Sequence, residues 1–130
     1  MRLALDFDPR IHLVRSYGEG AVTINTERLT QPLLVSPTRL EPHWNVDTFE
    51  ALCTCDALAQ KLEPLLGFGA AIVILGAGQT QPVASSQLRA VFRTRQIGLE
   101  CMTLGAACRT YNVLAAEQRP VVAGLFPAQG

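Results

Sequence analysis

A continuous apolar run, Ala70 to Leu75, places the strongest limit on the fold of this chain. The run is rich in β-branched residues, and Gly69 and Gly76 lie at its two ends. A short apolar run of this kind is typical of a strand that is buried on both faces, as in sheets covered by helices. The sequence therefore predicts that residues 70–75 form a strand at the centre of an α/β sheet.

The segments after this run alternate between helical and extended patterns. We expect an amphipathic helix over about Ser85–Gln96, because apolar residues recur on one face at three- and four-residue spacing. Three further elements are predicted to follow: a strand at Leu99–Met102, a helix over about Ala106–Gln118 and a strand at Val121–Phe126. Together these segments predict a β-α-β-α-β half, the pattern of a sheet with helices packed on it.

The first third of the chain has the patterns of short strands. Apolar and polar residues alternate over Ile11–Tyr17, and a turn is predicted at Gly18–Gly20. We expect further strands at Ala21–Asn25 and Gln31–Val35, joined by a polar connection at Thr26–Thr30. The N-terminal part is therefore predicted to form a β layer.

A helix is predicted between these two parts of the chain, with Thr54 as its N-cap. Leu58, Leu62 and Leu65 recur after this residue at helical spacing. The irregular segment before it contains Trp44, the only tryptophan. We interpret Trp44 as a plug at the edge of the sheet rather than as an exposed anchor for a partner.

Composition favours one folded domain and assigns no partner by charge. The chain has 130 residues, of which 48% are hydrophobic. We therefore expect a single domain over residues 1–130, with residues 1–10 as a flexible N-terminal segment. Eleven basic residues balance eleven acidic ones, so neither nucleic acid nor an anionic membrane is an expected partner. A near-neutral, apolar-rich chain also favours self-association, and we include a homodimer among the expected states.

No segment of the sequence predicts export or membrane anchoring. The N-terminal residues contain Asp6 and Asp8 and lack the apolar region of a signal peptide, and the longest apolar run is too short to span a bilayer. We therefore expect no membrane insertion and a cytoplasmic location.

The four cysteines are predicted to be thiols. The spacings of Cys53, Cys55, Cys101 and Cys108 match neither a zinc site nor the framework of a small disulfide-rich domain. We accordingly expect no metal and no cofactor.

The best candidate for a ligand site begins at the turn after the apolar run. Gly76 and Gly78 follow a predicted buried strand, where the backbone N–H groups of a turn can bind a phosphate. The glycine motif is incomplete for a nucleotide site, and a purely structural tight turn is the alternative interpretation.

The second part of this candidate pocket lies on the predicted helix that follows the next strand. Cys108, Arg109, Tyr111 and Asn112 are three and four residues apart, so two or three of them can converge on one pocket. Arg109 is suited to bind a carboxylate or a phosphate. The alternative interpretation is that these side chains satisfy buried backbone groups and hold the helix on the sheet.

Two segments carry a resemblance to a known family. Ile72–Gly78 and Glu100–Leu114, with the following Glu117–Leu125, resemble the Mth-type domain family of unknown function. This family includes the mitochondrial respiratory complex I assembly factor 3 and the adipogenesis-associated Mth-domain protein. The resemblance covers most of the chain from about Ile11. It implies a three-layer α/β fold around a central mixed sheet, with an N-terminal β layer followed by the β-α-β-α-β half.

The chain departs from the family pattern at one turn. Leu104 and Gly105 stand where the family commonly has Thr before an Ala pair, and Thr103 replaces an acidic residue. The resemblance therefore implies no role for a carboxylate or hydroxyl at this turn of the chain.

Two functions remain compatible with these observations. The first is a non-catalytic protein-binding or assembly-factor-like module, because the sequence has no recognisable catalytic set and no cofactor fingerprint, and because the resemblance implies this role. The alternative is a binding protein for a small anionic molecule, or a weak enzyme, that uses the Gly76–Gly78 and Arg109–Asn112 turns. Enzymatic activity is not the favoured expectation.

Overall fold

A computed structural model of the chain describes residues 1–3 and 8–129. The strands within these residues are β1 (Val14–Gly18), β2 (Ala21–Ile24), β3 (Glu27–Leu29), β4 (Leu33–Val35), β5 (Leu40–Glu41), β6 (Ile72–Gly76), β7 (Gly98–Met102) and β8 (Val121–Leu125). The helices are α1 (Phe49–Cys53), α2 (Leu58–Leu66), α3 (Ser86–Thr94) and α4 (Leu104–Ala116), with a short 3₁₀ helix at Pro127–Gln129. Residues 4–7 of the N-terminal segment that we predict to be flexible lie outside the described residues.

The strands form two sheets. A five-stranded mixed sheet has the order β5-β4-β8-β6-β7, and a three-stranded antiparallel sheet has the order β1-β2-β3. β6 is parallel to both β7 and β8, whereas β4 is antiparallel to both β5 and β8. The predicted fold class is therefore confirmed: a mixed central sheet with an N-terminal β layer and a β-α-β-α-β half.

Two apolar clusters cover the two faces of the five-stranded sheet. One cluster joins this sheet to α4 and to the three-stranded sheet, and it includes Ile74 of β6. The other joins it to α1, α2 and α3, and it includes Val73 and Leu75 of the same strand. Successive residues of a strand point to opposite faces. The apolar run of β6 is continuous because both of its faces are buried.

The structure corrects the predicted position of this strand within the sheet. β6 lies inside the sheet, between β8 and β7, but the middle strand is β8. All five residues of β8 are buried. The C-terminal strand occupies this place because it pairs on one edge with β4 from the first third of the chain.

The predicted polar connection at Thr26–Thr30 contains a strand, β3. It pairs with β2 through a two-residue turn, in which Ile24 and Glu27 are directly opposite each other. Asn25 has a φ of +53° in this turn. Asparagine tolerates the left-handed conformation better than most residues, so the hairpin closes without glycine.

Two helix starts also differ from the prediction. Thr48 is the N-cap of α1, where its hydroxyl accepts a hydrogen bond from the Ala51 N–H at 2.9 Å. Thr54 is instead the C-cap of α1, and α2 begins at Leu58 without a side-chain cap. α4 begins two residues earlier than predicted, because the Thr103 hydroxyl caps it.

Any side chain larger than glycine at position 76, the last residue of β6, is predicted to destabilise the fold. A Cβ atom built at this position would lie 2.3 Å from the Cβ of Ala107 on α4. We expect Gly76→Ala to lower the free energy of unfolding by about 1–3 kcal/mol, because the helix must move off the sheet. The change is measured by urea denaturation.

The control is Gly98→Ala in the edge strand β7, where a new Cβ would come no closer than 3.7 Å to its neighbours. We expect this variant to stay within about 0.5 kcal/mol of the wild type. Equal effects of the two substitutions would contradict the packing argument.

Candidate functional site

Asn112, on the buried face of α4, binds the backbone of β1. Its Oδ1 accepts a hydrogen bond from the Val14 N–H at 2.9 Å, and its Nδ2 donates to the Val14 carbonyl oxygen at 2.8 Å. Asn112 and Val14 are both buried. A side-chain amide carries the same donor and acceptor as a peptide group, so Asn112 replaces the neighbouring strand that Val14 would otherwise need.

Two other side chains bind the same segment. The Tyr111 hydroxyl donates to the His12 carbonyl oxygen at 2.7 Å, and burial raises the pKa of this hydroxyl. Asn25 accepts from the Leu13 N–H at 3.0 Å and donates to the Ile11 carbonyl oxygen at 3.1 Å. The predicted site residues Tyr111 and Asn112 thus lie together and hold the chain at His12 and Val14, where β1 begins. No sequence pattern pointed to Asn25, which we expected at the end of a strand over Ala21–Asn25.

Cys108 lies in the core beneath these residues. Its side chain is fully buried, and burial raises the pKa of the thiol to about 12. Burial likewise raises the pKa of Cys101, on β7, to about 11. Both groups are thiols at neutral pH, and a thiol is a poor nucleophile compared with a thiolate. This arrangement suits Cys108 to packing, because the effect of burial on its pKa outweighs the opposing effect of the Arg109 charge.

Arg109 lies on the exposed side of α4. Its Nη1 donates a hydrogen bond to the Tyr17 hydroxyl at 2.7 Å, and Tyr17 covers Gly105 so closely that a Cβ there would lie 2.7 Å from the hydroxyl oxygen. The structure therefore separates Arg109 from Asn112: the guanidinium is at the surface with Tyr17, and the amide is buried against Val14.

The glycine turn after β6 uses its backbone groups within the protein. The Ala77 N–H donates to the Met102 carbonyl oxygen at 3.1 Å, and the Gly78 carbonyl oxygen accepts from the Leu104 N–H at 3.0 Å. Gly78 has a φ of +76°, which favours glycine. The turn thus joins the ends of β6 and β7 to the start of α4. A ligand pocket at these glycines stays a prediction.

A large cleft lies elsewhere, between α3 and the edge strand β7. It has a volume of about 770 Å³. Side chains and backbone that line it include Val83, Arg89, Phe92, Arg93, Leu99 and Cys101. We call it the β7 cleft. The sequence feature that marks it is the spacing of Arg89 and Arg93, four residues apart in the helix α3.

Residues 1–3 and 8–129 contain neither a cluster of metal-ligating side chains nor a membrane-spanning helix. No group of three or more His, Cys, Asp or Glu side chains in these residues is arranged to hold a metal ion. In the same residues, no helix has the length and apolar character needed to cross a bilayer.

The fold and these internal links define a three-layer α/β protein in which α4 is bonded to an N-terminal β layer. The chain belongs to the protein family of unknown function DUF498/DUF598, whose sequence model matches residues 14–126. The resemblance of the sequence to Mth-type domains is therefore confirmed. A solution structure of a Mth938-like domain from Bordetella pertussis is similar, with a TM-score of 0.74, 26% identity and coverage of 98% of this chain and 93% of that one.

Two other proteins are similar to this chain, one in sequence and one in structure. The chain is 30% identical over 119 residues to NADH dehydrogenase (ubiquinone) 1 alpha subcomplex assembly factor 3 of Drosophila melanogaster. This match covers 88% of the chain but 58% of the relative, so the chain spans less than two thirds of the length of that protein. A structure from Xanthomonas campestris has a TM-score of 0.77 and 29% identity, and covers 98% of this chain and 94% of its own.

Asn112 is predicted to be a major source of stability. We expect Asn112→Ala to lower the free energy of unfolding by about 2–5 kcal/mol, because the buried N–H and C=O of Val14 both lose their partner. The loss is measured by urea denaturation.

The matched control is Val113→Ala, the next residue of α4, whose side chain is 57% exposed. We expect it to change stability by less than about 0.5 kcal/mol. If Asn112→Ala were as mild as this control, the link between α4 and β1 would not be a main stabilising contact.

Proposed function

We propose that this chain is a non-catalytic protein-binding module with an assembly-factor-like role, acting in the cytoplasm. The observation that carries the proposal is the 30% identity, over 119 residues, to an assembly factor of the NADH dehydrogenase 1 alpha subcomplex. The match covers 88% of this chain, so nearly the whole chain is the region shared with that relative. The expected partners are proteins of an NADH dehydrogenase under assembly.

The chemistry of the candidate residues supports binding rather than catalysis. The side chains of Tyr111 and Asn112 already form hydrogen bonds with the backbone of His12 and Val14. The raised pKa of Cys108, which follows from burial, keeps its thiol protonated at neutral pH. These residues support a rigid domain, whose function then depends on its surface.

The surface offers apolar groups that a partner can cover. Val83 is 79% exposed and lies in the segment before α3. Val113 is 57% exposed and lies on α4, which covers the opposite face of the five-stranded sheet. A second copy of the chain is an alternative partner, since the net charge is zero and opposes self-association only weakly. We propose neither nucleic acid as a partner nor insertion of this chain into a membrane.

The test is deletion of the gene in its host, followed by separation of membrane complexes on a native gel stained for NADH dehydrogenase activity. We expect the assembled enzyme to fall and smaller subcomplexes to appear, because an intermediate then lacks its binding partner. Re-expression of the wild-type chain is the control and restores the assembled enzyme. Unchanged assembly after deletion would refute the proposal.

A second candidate function is binding of a small anion by Arg109 of α4 together with the Gly76–Gly78 turn. It is favoured by Arg109, because a guanidinium has five N–H donors and this one is exposed, with a bond to the Tyr17 hydroxyl.

Thermal denaturation tests this candidate against nucleotides, acyl-CoAs, phosphosugars and carboxylates. A true ligand stabilises the folded state by about 2.7 kcal/mol at a hundred times its Kd, and we expect Arg109→Ala to abolish the resulting rise in Tm. Arg119→Ala, an exposed arginine just before β8, is the control and keeps the rise. No shift with any of these compounds would count against the anion site.

A further inference from the structure

β7 is an edge strand, and alternate residues direct their backbone N–H and C=O groups away from β6. It pairs only with β6 in the described sheet. The Gly98 N–H donates to the Ala71 carbonyl oxygen, and the Met102 carbonyl oxygen accepts from the Ala77 N–H, so these two residues face β6. In a parallel pair, backbone groups of successive residues point to alternate sides. Leu99 and Cys101 therefore direct their N–H and C=O groups to the open edge.

Two cations lie along this open edge. Arg89 and Arg93 are one helical turn apart on α3, both are exposed, and both line the β7 cleft. Neither makes an ion pair with a residue that the structure describes. Val83, which also lines the cleft, is 79% exposed. The cleft thus joins an unpaired strand edge to apolar surface and positive charge.

The side chains of β7 divide between its two faces. Leu99 and Cys101 pack on the cluster that contains α3, whereas Met102 packs on the opposite cluster. Glu100 lies between Leu99 and Cys101 in the strand, so its side chain leaves the strand on the face away from α3, and the residue also lines the β7 cleft at the open edge. The edge therefore presents positive charge on one face and a carboxylate on the other.

This charge pattern disfavours pairing of β7 with a second copy of itself. An antiparallel pair that joined Leu99 of each copy to Cys101 of the other would place the two Glu100 side chains directly opposite each other. Like charges in that position are destabilising. A charged residue on a short edge strand is a known means of preventing such self-pairing.

We infer that β7 accepts an extended segment of a partner protein as an additional strand, with carboxylate side chains facing Arg89 and Arg93. The inference rests on the proposed protein-binding function and names the site and chemistry of the partner. Strand addition supplies backbone hydrogen bonds to Leu99 and Cys101, and side chains at alternate positions supply the specificity. On the opposite face, a basic side chain of the segment pairs with Glu100.

Photo-crosslinking in the host cell tests this inference. A benzoylphenylalanine is placed at position 83 in one variant and at position 113 in another, and the crosslinked residues are mapped by mass spectrometry. We expect position 83 to crosslink to an acidic segment of another protein. Arg93→Glu is expected to weaken this crosslink by about ten-fold, because reversal of a close charge in an interface has effects of that order.

The matched control is Arg95→Glu, which makes the same charge change on an exposed residue at the end of α3. We expect it to leave the crosslink within about two-fold of the wild type, since surface charges outside a contact contribute little. Both variants should have the wild-type Tm.

A synthetic peptide of the crosslinked segment then tests strand addition itself. We expect it to slow amide hydrogen exchange at Leu99 and Cys101 by about ten-fold or more, because these N–H groups gain partners only when a strand is added. The amides of Gly98 and Glu100, which face β6, are the internal comparison.

The outcomes separate this inference from the proposed function. Crosslinks from position 113 alone would overturn the β7 site and leave the protein-binding function standing. A crosslink from position 83 to a second copy, or a peptide that leaves the Leu99 and Cys101 amides unchanged, would also overturn it. The absence of crosslinks from both positions would count against both proposals.

Discussion

The contact between α4 and β1 supports the rest of the structure, and one buried amide is at its centre. Asn112 bonds both backbone groups of Val14, at a point where the pairing of β1 with β2 is irregular. The same helix packs on β6 and β8 of the large sheet. Because α4 contacts both sheets, any shift of this helix would disturb the two layers together. The amide therefore sets how the N-terminal β layer sits on the mixed sheet.

This internal use of polar side chains explains why the sequence of α4 alone does not distinguish a ligand pocket from a packed interface. A polar group that loses water must gain another hydrogen-bond partner. In the described residues, every buried side-chain nitrogen and oxygen has one. A helix face with Tyr111 and Asn112 therefore has the same composition whether it binds a ligand or a strand. In this protein, Tyr111 and Asn112 form hydrogen bonds with the backbone of the same chain. Arg109 and the edge strand β7 lie at the surface.

Much of the fold follows from local patterns. The apolar run of β6, the amphipathic face of α3 and the long helix α4 were each predicted to within two residues at their starts. The sequence analysis missed β3 and β5, because each has only two or three residues and because β3 exposes Glu27 and Arg28. Such strands are formed by pairing with a neighbour and not by their own propensity. The candidate pocket is predicted from two local features, the Gly76–Gly78 turn and the spacing of Cys108, Arg109, Tyr111 and Asn112 along α4.

The alternation of helices and strands and the burial of β6 on both faces follow from the sequence, since they depend on periods of two and 3.6 residues that are read locally. Packing between distant segments decided the order of the strands, with β8 between β4 and β6. It also decided the role of Asn112, whose partner Val14 is 98 positions away in the chain. Pairings over such distances depend on how whole layers pack, and no local pattern encodes them.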